Sequence, residues 1–310
     1  MSRIGVFPAG GGLGGSIIKH LLHLVPASQL TLIARKPESL SYAAEAGATI
    51  RHADYDQPET LDNAFKGVEV LMLISYASFE IEHRVQAHKK AINAAVSSGV
   101  QHIFYSSLAF AGDYTNNSVA HVMGAHLATE EFLASLPGPT RYTSIREGLY
   151  SESFPIYTGW FDLKKPSDEI TIPHDGSGPG VAWVKRDELG EASAKLVARY
   201  ASATGTVQDF PYINKIVLLT GKKIFSLNET ADVLGRAVGK DVKIRQISVD
   251  EYVKLPHEGR HTYHGVDLSR EWTTAWEAIR RGETAVVTPT LGEILGREPE
   301  DYETTIRAMV

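Results

Sequence analysis

The stretch VFPAGGGLGGS, from Val6 to Ser16, places five glycines between positions 10 and 15, directly after a short apolar run. Glycine loses more conformational freedom on folding than any other residue, so this cluster needs a local reason. Between a first strand and a first helix, glycines let the backbone approach a pyrophosphate, which the helix N-terminus binds through its free N–H groups. The alternative is a flexible turn. The candidate dinucleotide-binding residues are Pro8, Ala9, Gly10, Gly11, Gly12, Leu13 and Gly14.

Pro8 is the departure from the usual form of this loop. Gly11 and Gly14 keep the spacing of the last two glycines in a G-x-x-G-x-x-G pattern, and Pro8 stands where the first glycine would be. Proline removes one N–H group, but its fixed φ still permits a tight turn. We therefore expect phosphate binding to be retained.

The first half of the chain alternates short apolar runs with segments of helical periodicity, which is typical of βαβ units around a parallel sheet. Several runs are apolar at nearly every position, so helices are expected on both faces of the sheet. The predicted class is α/β, with a Rossmann-type doubly wound parallel sheet. Predicted strands are Ile4–Phe7, Leu30–Ala34, Thr49–His52, Val70–Ser75, His102–Ser107 and Arg141–Arg146, with helices near 13–24, 58–66, 80–98 and 119–136.

After Gly148 this alternation stops, and prolines at 155, 166, 173 and 179 interrupt any long element. We predict a dinucleotide-binding domain over residues 1–150 and a smaller substrate lobe over 151–310, partly interleaved with the first. Within the second part, helices are expected at 187–201 and 226–238, a strand at 215–220, and a helix pair in the C-terminal tail.

The end of the second strand indicates which dinucleotide is bound. Sites for NAD usually have Asp or Glu here for the ribose 2′-hydroxyl, whereas Arg suits a 2′-phosphate. This chain has Ala34 followed by Arg35 and Lys36. The sequence predicts NADPH, with Arg35 as the main phosphate contact; a solvated loop is the alternative.

Other cofactor-lining candidates follow from position alone. Asp54 follows the third strand and could accept a hydrogen bond from the adenine amino group, although a turn-forming Asp is the alternative. Ser75, Tyr76 and Ser106 lie at the ends of strands four and five, at the edge where open α/β sheets bind ligands.

His126 is the candidate catalytic acid. None of the 13 tyrosines is followed four residues later by lysine, which excludes the Tyr-x-x-x-Lys mechanism of most short-chain dehydrogenases. His126 lies on the apolar face of the predicted helix after strand five, and Glu130, one turn on, is expected to support its charged form. An imidazole could then donate a proton to a carbonyl oxygen. A core histidine is the alternative.

No metal site is predicted. His257, His261 and His264 cluster in HEGRHTYH without the glutamate of a zinc protease, so we interpret them as a surface loop. Other histidines have no carboxylate at metal-ligand spacing: His83, His88, His102 and His121. The chain has no cysteine, which excludes thiolate ligands, disulfides and a cysteine nucleophile.

Composition excludes two kinds of partner. The formal net charge of −6, without a basic block, argues against nucleic acid. No apolar run approaches the roughly 20 residues that cross a bilayer, and RIGVF does not resemble a signal peptide, so a cytoplasmic location is expected.

Taken together, several segments resemble the NmrA-like family of atypical short-chain dehydrogenases, closest to its NAD(P)H:quinone reductase and triphenylmethane reductase branch. The segments are the glycine loop, VPASQLTLIARKP, RHADYDQPETLDNAFKGVEVLMLIS, HIFYSSL, HLATEEFLASL, TSIREGLYSESF and LGREP. The resemblance implies hydride transfer from NADPH to a quinone-like or conjugated acceptor without flavin. It puts His126 where other branches have an active-site lysine. It also implies that REGLYSESF closes over the nicotinamide, which makes pocket candidates of Glu147, Gly148, Leu149, Tyr150 and Phe154.

Two functions stay open from the sequence. One is an NADPH-dependent reductase of an aromatic or quinone-like small molecule. The other is a non-catalytic redox sensor, because the founding member of the family is a transcriptional co-regulator that acts through protein partners; a homodimer is also possible in either case. An aromatic substrate pocket is expected from Tyr150, Phe154, Tyr157, Trp160 and Trp183, with packing of the second lobe as the alternative.

Overall fold

The computed structural model describes residues 2–202, 210–256 and 260–310. Its strands are β1 (Ile4–Phe7), β2 (Leu30–Ala34), β3 (Thr49–His52), β4 (Val70–Ile74), β5 (His102–Leu108), β6 (Arg141–Glu147), β7 (Glu169–Ile172), β8 (Lys215–Leu219), β9 (Lys243–Gln246), β10 (Thr262–Tyr263) and β11 (Val266–Asp267). Its α-helices are α1 (Gly11–Leu24), α2 (Ser41–Glu45), α3 (Ile81–Ser97), α4 (Gly124–Ala134), α5 (Phe154–Tyr157), α6 (Arg186–Ser202), α7 (Leu227–Val238), α8 (Val249–Tyr252), α9 (Ser269–Arg280), α10 (Thr290–Leu295) and α11 (Tyr302–Arg307).

Seven strands form one parallel sheet in the order β3-β2-β1-β4-β5-β6-β8. The chain order reverses between β1 and β4, and ligands of open α/β sheets bind at the carboxyl edge beside such a point. Every residue of β1, β2 and β4 is buried, as expected for a sheet covered on both faces. The six predicted strands are confirmed, with differences of one residue at the ends of three. The predicted Rossmann-type fold is therefore confirmed.

Helices cover both faces of this sheet. One face packs against α1 and α6, and the other against α3 and α4. Ser16 and Lys19 of α1 both contact the carboxylate of Asp187, at 2.6 Å and 2.7 Å, which joins α6 to α1. In the described part of the chain, no helix has the length and apolar character needed to cross a bilayer.

The predicted helix at 58–66 is only a short 3₁₀ turn, Pro58–Leu61. Its Thr60 hydroxyl donates to the carbonyl of Gln57 and accepts from the N–H of Asp54. Such side-chain bonds to nearby backbone compete with a longer helix. The other short 3₁₀ turns are Ala27–Gln29, Pro37–Leu40, His121–Met123 and Ser151–Ser153.

A second apolar core lies beside the sheet and is built mainly from residues after position 148, including Trp183, Tyr252, Trp276 and Tyr302. Elements from the second half of the chain occur both in the main sheet with its helices and in this second core. β8 extends the main sheet and α6 packs on α1, so both elements belong with the main sheet and its helices. The division into a dinucleotide-binding domain over residues 1–150 and a partly interleaved substrate lobe over 151–310 stays a prediction.

Candidate active site

The glycine loop connects β1 to α1 in close contact with its own strand. A Cβ atom on Gly14 would lie 2.9 Å from the carbonyl oxygen of Pro8, so the helix can approach the strand this closely only with glycine there. Gly11 has a φ of +71°, which side chains rarely adopt. The N-cap, Gly10, provides no side-chain cap, and the first turn of α1 has no acidic residue. Its free N–H groups therefore form a cradle suited to an anion.

Arg186, the first residue of α6, lies directly on this loop. A Cβ atom on Gly12 would meet the guanidinium group of Arg186 at 2.6–2.8 Å. The backbone N–H of Arg186 donates to the carboxylate of Glu152, but within the described residues its guanidinium has no carboxylate partner. A cation at the positive end of a helix is unfavourable unless an anion lies between them. The arrangement is therefore suited to a phosphate group.

The residues predicted to contact the adenosine end lie at the ends of β2 and β3. Arg35 and Lys36 are exposed, and in the described ranges Arg35 forms no ion pair. The carboxylate of Asp54 accepts a hydrogen bond from the N–H of Asp56 at 3.1 Å. This hydrogen bond shows that Asp54 stabilises the turn. The contact of Asp54 with adenine stays a prediction.

Ser75, Tyr76 and Ser106 come together at the carboxyl ends of β4 and β5. The N–H of Ser75 donates to the Ser106 hydroxyl at 2.9 Å, and the N–H of Tyr76 donates to His88 Nε2 at 2.9 Å. Since Nε2 of His88 is an acceptor, its Nδ1 carries the hydrogen that is donated to Thr129 at 2.8 Å. Burial lowers the pKa of His88 well below its ordinary value, so this ring is neutral.

His126 is also buried and neutral. Its Nε2 accepts a hydrogen bond from Arg84 at 2.8 Å, so its Nδ1–H donates to the Tyr105 hydroxyl at 3.0 Å. Burial, reinforced by the charge of Arg84, lowers the pKa of His126 well below its ordinary value. Both ring nitrogens are therefore occupied. With both nitrogens engaged, His126 is better suited to holding Arg84 in position than to releasing a proton.

The prediction that Glu130 supports a charged His126 is wrong. Glu130 instead forms a buried ion pair with Arg146 of β6 at 2.6 Å, and it accepts hydrogen bonds from Ser107 at 2.7 Å and Ser144 at 2.8 Å. Helical spacing placed Glu130 near His126, but an arginine on a strand beneath the helix attracts the carboxylate more strongly. The sequence alone does not reveal that partner.

Arg84 is the feature of this edge that the sequence did not single out. Its buried guanidinium donates to the Ser75 hydroxyl at 2.6 Å, to the Ser78 carbonyl at 3.2 Å and to His126. In the part of the chain that the structure describes, no carboxylate pairs with it, and burial lowers its pKa. A buried cation with only neutral partners produces a strong positive potential, which stabilises negative charge that develops nearby.

Glu147 and Tyr150 form a second polar pair, at the end of β6. The Tyr150 hydroxyl donates to Glu147 Oε2 at 2.6 Å, whereas Oε1 is buried and has no hydrogen-bond partner among the described residues. Burial raises the pKa of Glu147 to about 8, against the lowering effect of Tyr150. The carboxyl group is therefore largely protonated at neutral pH, and Tyr150 lies within electrostatic range of Arg186.

Glu147 should make stability fall as pH rises. As the pH rises from the ordinary pKa of 4.5 to the folded value of about 8, the Glu147 carboxyl group loses its proton in the unfolded chain but keeps it in the folded chain. The folded wild-type protein therefore loses stability relative to the unfolded chain over this range. The free energy of unfolding of Glu147→Gln, minus that of the wild type, should therefore increase between pH 5 and 8, by up to about 1.4 kcal/mol per pH unit. Urea unfolding at each pH measures this, with exposed Glu45→Gln as the matched control. A difference that does not change with pH would contradict the buried, protonated state.

The remaining pocket candidates are mostly core residues. Leu149 and Phe154 are buried in the second core, and Gly148 lies against Val184 and the carbonyl of Leu219. Trp183 donates from Nε1 to Thr230 at 3.0 Å and stacks on Tyr302 with ring centroids 5.3 Å apart. Packing therefore accounts for Trp183. Its contact with a substrate stays a prediction, and the burial of its side chain does not support that contact.

A parallel sheet with this strand order, a glycine cradle at the start of α1 and polar groups gathered at the same edge define a Rossmann-type dinucleotide-binding protein. The chain belongs to the NmrA-like family, which it matches over residues 1–274. The expected family is therefore confirmed.

Three similar proteins illustrate this relationship. The NmrA-like family domain-containing oxidoreductase flvB of Aspergillus flavus is 32% identical over 304 residues, covering 97% of this chain and 93% of that protein. The crystal structure of Escherichia coli NADPH-dependent quinone oxidoreductase QOR2 with NADPH has a TM-score of 0.78 and 27% identity, covering 99% of both chains. Citrobacter sp. triphenylmethane reductase with NADP(H) has a TM-score of 0.76 and 27% identity, covering 99% of this chain and 100% of that one.

Proposed function

We propose that this protein is an NADPH-dependent reductase that transfers hydride, without flavin, to a quinone-like or conjugated carbonyl acceptor. Two similar proteins named as oxidoreductases, one of them with NADPH bound, and a triphenylmethane reductase with NADP(H) bound support the reaction class and the cofactor. The observation that carries the proposal is Arg84, a buried cation without a carboxylate partner at the edge of the sheet where the cofactor is expected.

The residues at this edge fit a phosphorylated dinucleotide. Gly14 and the uncapped start of α1 leave room and N–H donors for a pyrophosphate, and Arg186 adds a charged donor on the same loop. Arg35 and Lys36 would hold the 2′-phosphate at the end of β2. The nicotinamide end would then lie toward β4, β5 and β6.

When bound, NADPH supplies the hydride, and an acceptor such as a quinone also takes up one proton to become a hydroquinone. The acceptor oxygen gains negative charge during this change, and the Arg84 guanidinium stabilises that charge. His126 holds Arg84 in position through its Nε2 atom. Glu147, largely protonated near neutral pH, is the candidate source of the proton, with Tyr150 orienting its carboxyl group.

The test of this proposal is NADPH oxidation, followed by absorbance, with a panel of benzoquinones and naphthoquinones and with protein freed of flavin. We expect turnover that does not change when flavin is added. Binding of NADPH without oxidation by any acceptor would contradict a reductase and favour the alternative, a redox-sensing protein that acts through a partner.

The two arginines around the cofactor should affect NADPH and NADH differently. Arg35→Ala should weaken NADPH binding by about 10- to 100-fold and leave NADH nearly unchanged, because only NADPH has the 2′-phosphate. Arg186→Ala should weaken both by a similar factor, because both contain the pyrophosphate. Calorimetric titration of each variant measures this, with exposed Lys90→Ala as the control. Equal losses for both cofactors in Arg35→Ala would contradict the assignment of the 2′-phosphate contact.

A further inference from the structure

Four potential metal ligands from distant parts of the chain meet at the surface, in what we call the histidine–carboxylate cluster: Asp56, Glu80, His83 and His264. Asp56 follows β3, Glu80 and His83 lie at the start of α3, and His264 lies in the turn between β10 and β11. The ligand atoms of Asp56, His83 and His264 all lie within 4.8 Å of one another. Glu80 contacts His264 through its Oε2 and the Nδ1 of the ring.

We propose that this cluster is a binding site for a divalent transition metal of the Zn²⁺ class, which links the β10–β11 hairpin to the edge of the main sheet. The sequence predicts no metal site here, because these ligands come from three separate segments of the chain, around Asp56, Glu80 with His83, and His264. His257, the first histidine of the predicted surface loop, lies outside the described residues. His261 is 1% exposed and stacks on Trp272, so the interpretation of these histidines as a surface loop is wrong for His261, and it is not a ligand of this cluster.

The donor set is suitable for zinc. Two imidazoles and two carboxylates are ligands that Zn²⁺ accepts in a tetrahedral site, at bond lengths of about 2.0–2.2 Å. Such bonds place neighbouring ligand atoms roughly 3.4 Å apart. His83 Nε2 lies 3.1 Å from Asp56 Oδ1, and the rings of His83 and His264 lie 4.9 Å apart between centroids. Small side-chain rotations would therefore bring the donors of Asp56, His83 and His264 to three tetrahedral positions, and Glu80, which contacts His264, lies beside them as the candidate fourth ligand.

Two further observations support a ligand at this position. The Tyr76 hydroxyl donates to both oxygens of Asp56 at 3.0 Å, an arrangement that orients the carboxylate as an outer partner of a metal ligand does. His264 has a φ of +45° in a two-residue turn with Gly265, where Asn, Asp or Gly is usual. Exposed ion pairs alone contribute little stability, so they do not account for a histidine at this costly position.

Binding would hold the hairpin closed over the loop that follows β4. Tyr263 of β10 already contacts Phe79 of this loop, with ring centroids 4.9 Å apart, and Phe79 stacks on Trp272 of α9 at the same separation. The metal would add a direct link between the hairpin and the segment that contains Tyr76. This inference does not depend on the proposed reductase activity, since its test measures binding.

The test is titration of metal-free protein with Zn²⁺ by calorimetry, and with Co²⁺ by visible absorption. We expect one equivalent per chain, tetrahedral Co²⁺ bands and a rise in Tm on binding. His83→Ala and His264→Ala should each weaken binding by at least about tenfold. His23→Ala, in the exposed last turn of α1 at the opposite edge of the sheet, should bind as the wild type does. Absence of saturable binding, or binding that is equal in all three variants, would overturn the proposal. Unchanged Tm of the variants without metal shows that they fold.

Discussion

Arg84→Met is expected to lower kcat for quinone reduction by about 10²- to 10³-fold while the affinity for NADPH changes little. The reason is that Arg84 provides buried positive charge with neutral partners only, Ser75, Ser78 and His126, and methionine removes the charge while filling much of the space. A loss confined to kcat and kcat/KM would identify an interaction that forms in the transition state. Steady-state kinetics and NADPH titration of the same preparation measure both quantities.

Controls separate this effect from a loss of structure. Arg84→Lys retains the positive charge and should recover part of the rate, whereas Lys90→Met removes an exposed cation from the same helix and should leave the rate unchanged. The Met variant also leaves His126 Nε2 without its donor, so we expect a loss of about 1–3 kcal/mol in the free energy of unfolding. Wild-type turnover in Arg84→Met would contradict the proposed role.

Arg146→Met should give the largest loss of stability, about 3–5 kcal/mol in the free energy of unfolding at neutral pH. Arg146 is 1% exposed and Glu130 is 8% exposed, so removing the guanidinium leaves a buried carboxylate without its counter-charge. Ser107 and Ser144 still donate to that carboxylate but do not neutralise it. Urea unfolding monitored by circular dichroism measures the change.

The double variant Arg146→Met, Glu130→Gln is the matched control. It removes both charges, so it should be clearly more stable than Arg146→Met alone, because the cost of a buried, unpaired charge disappears. If the double variant is no more stable than the single one, the loss arises from packing around Arg146, and the buried ion pair is not its cause.

The fold could be predicted from the sequence because the features that indicate it lie within short segments of the chain. The glycine-rich turn and the six apolar runs each depend on neighbouring residues, and the structure has strands at all six positions. The prediction of a helix at 58–66 is wrong because hydrogen bonds of Thr60 to nearby backbone hold a short turn there. Local side-chain bonding of this kind is not visible in helical periodicity.

The candidate site was less predictable because its contacts join distant residues. Arg186 lies in the chain far from Gly12, which it contacts, and Arg84 resembled any other charge in a helix. His126 was found by its position on an apolar helix face, but its protonation state depends on Arg84 and on burial, which a single sequence does not reveal. Glu147 was selected for its place in a motif, and its raised pKa follows only from the folded surroundings.

Calorimetric titration of the purified wild-type protein with NADPH and with NADH tests the central claim most directly, since every role proposed for the sheet edge requires a phosphorylated dinucleotide there. We predict one NADPH per chain, bound at least about tenfold more tightly than NADH because Arg35 contacts the 2′-phosphate. If neither cofactor binds, the glycine cradle, Arg186 and Arg84 do not have the functions proposed for them.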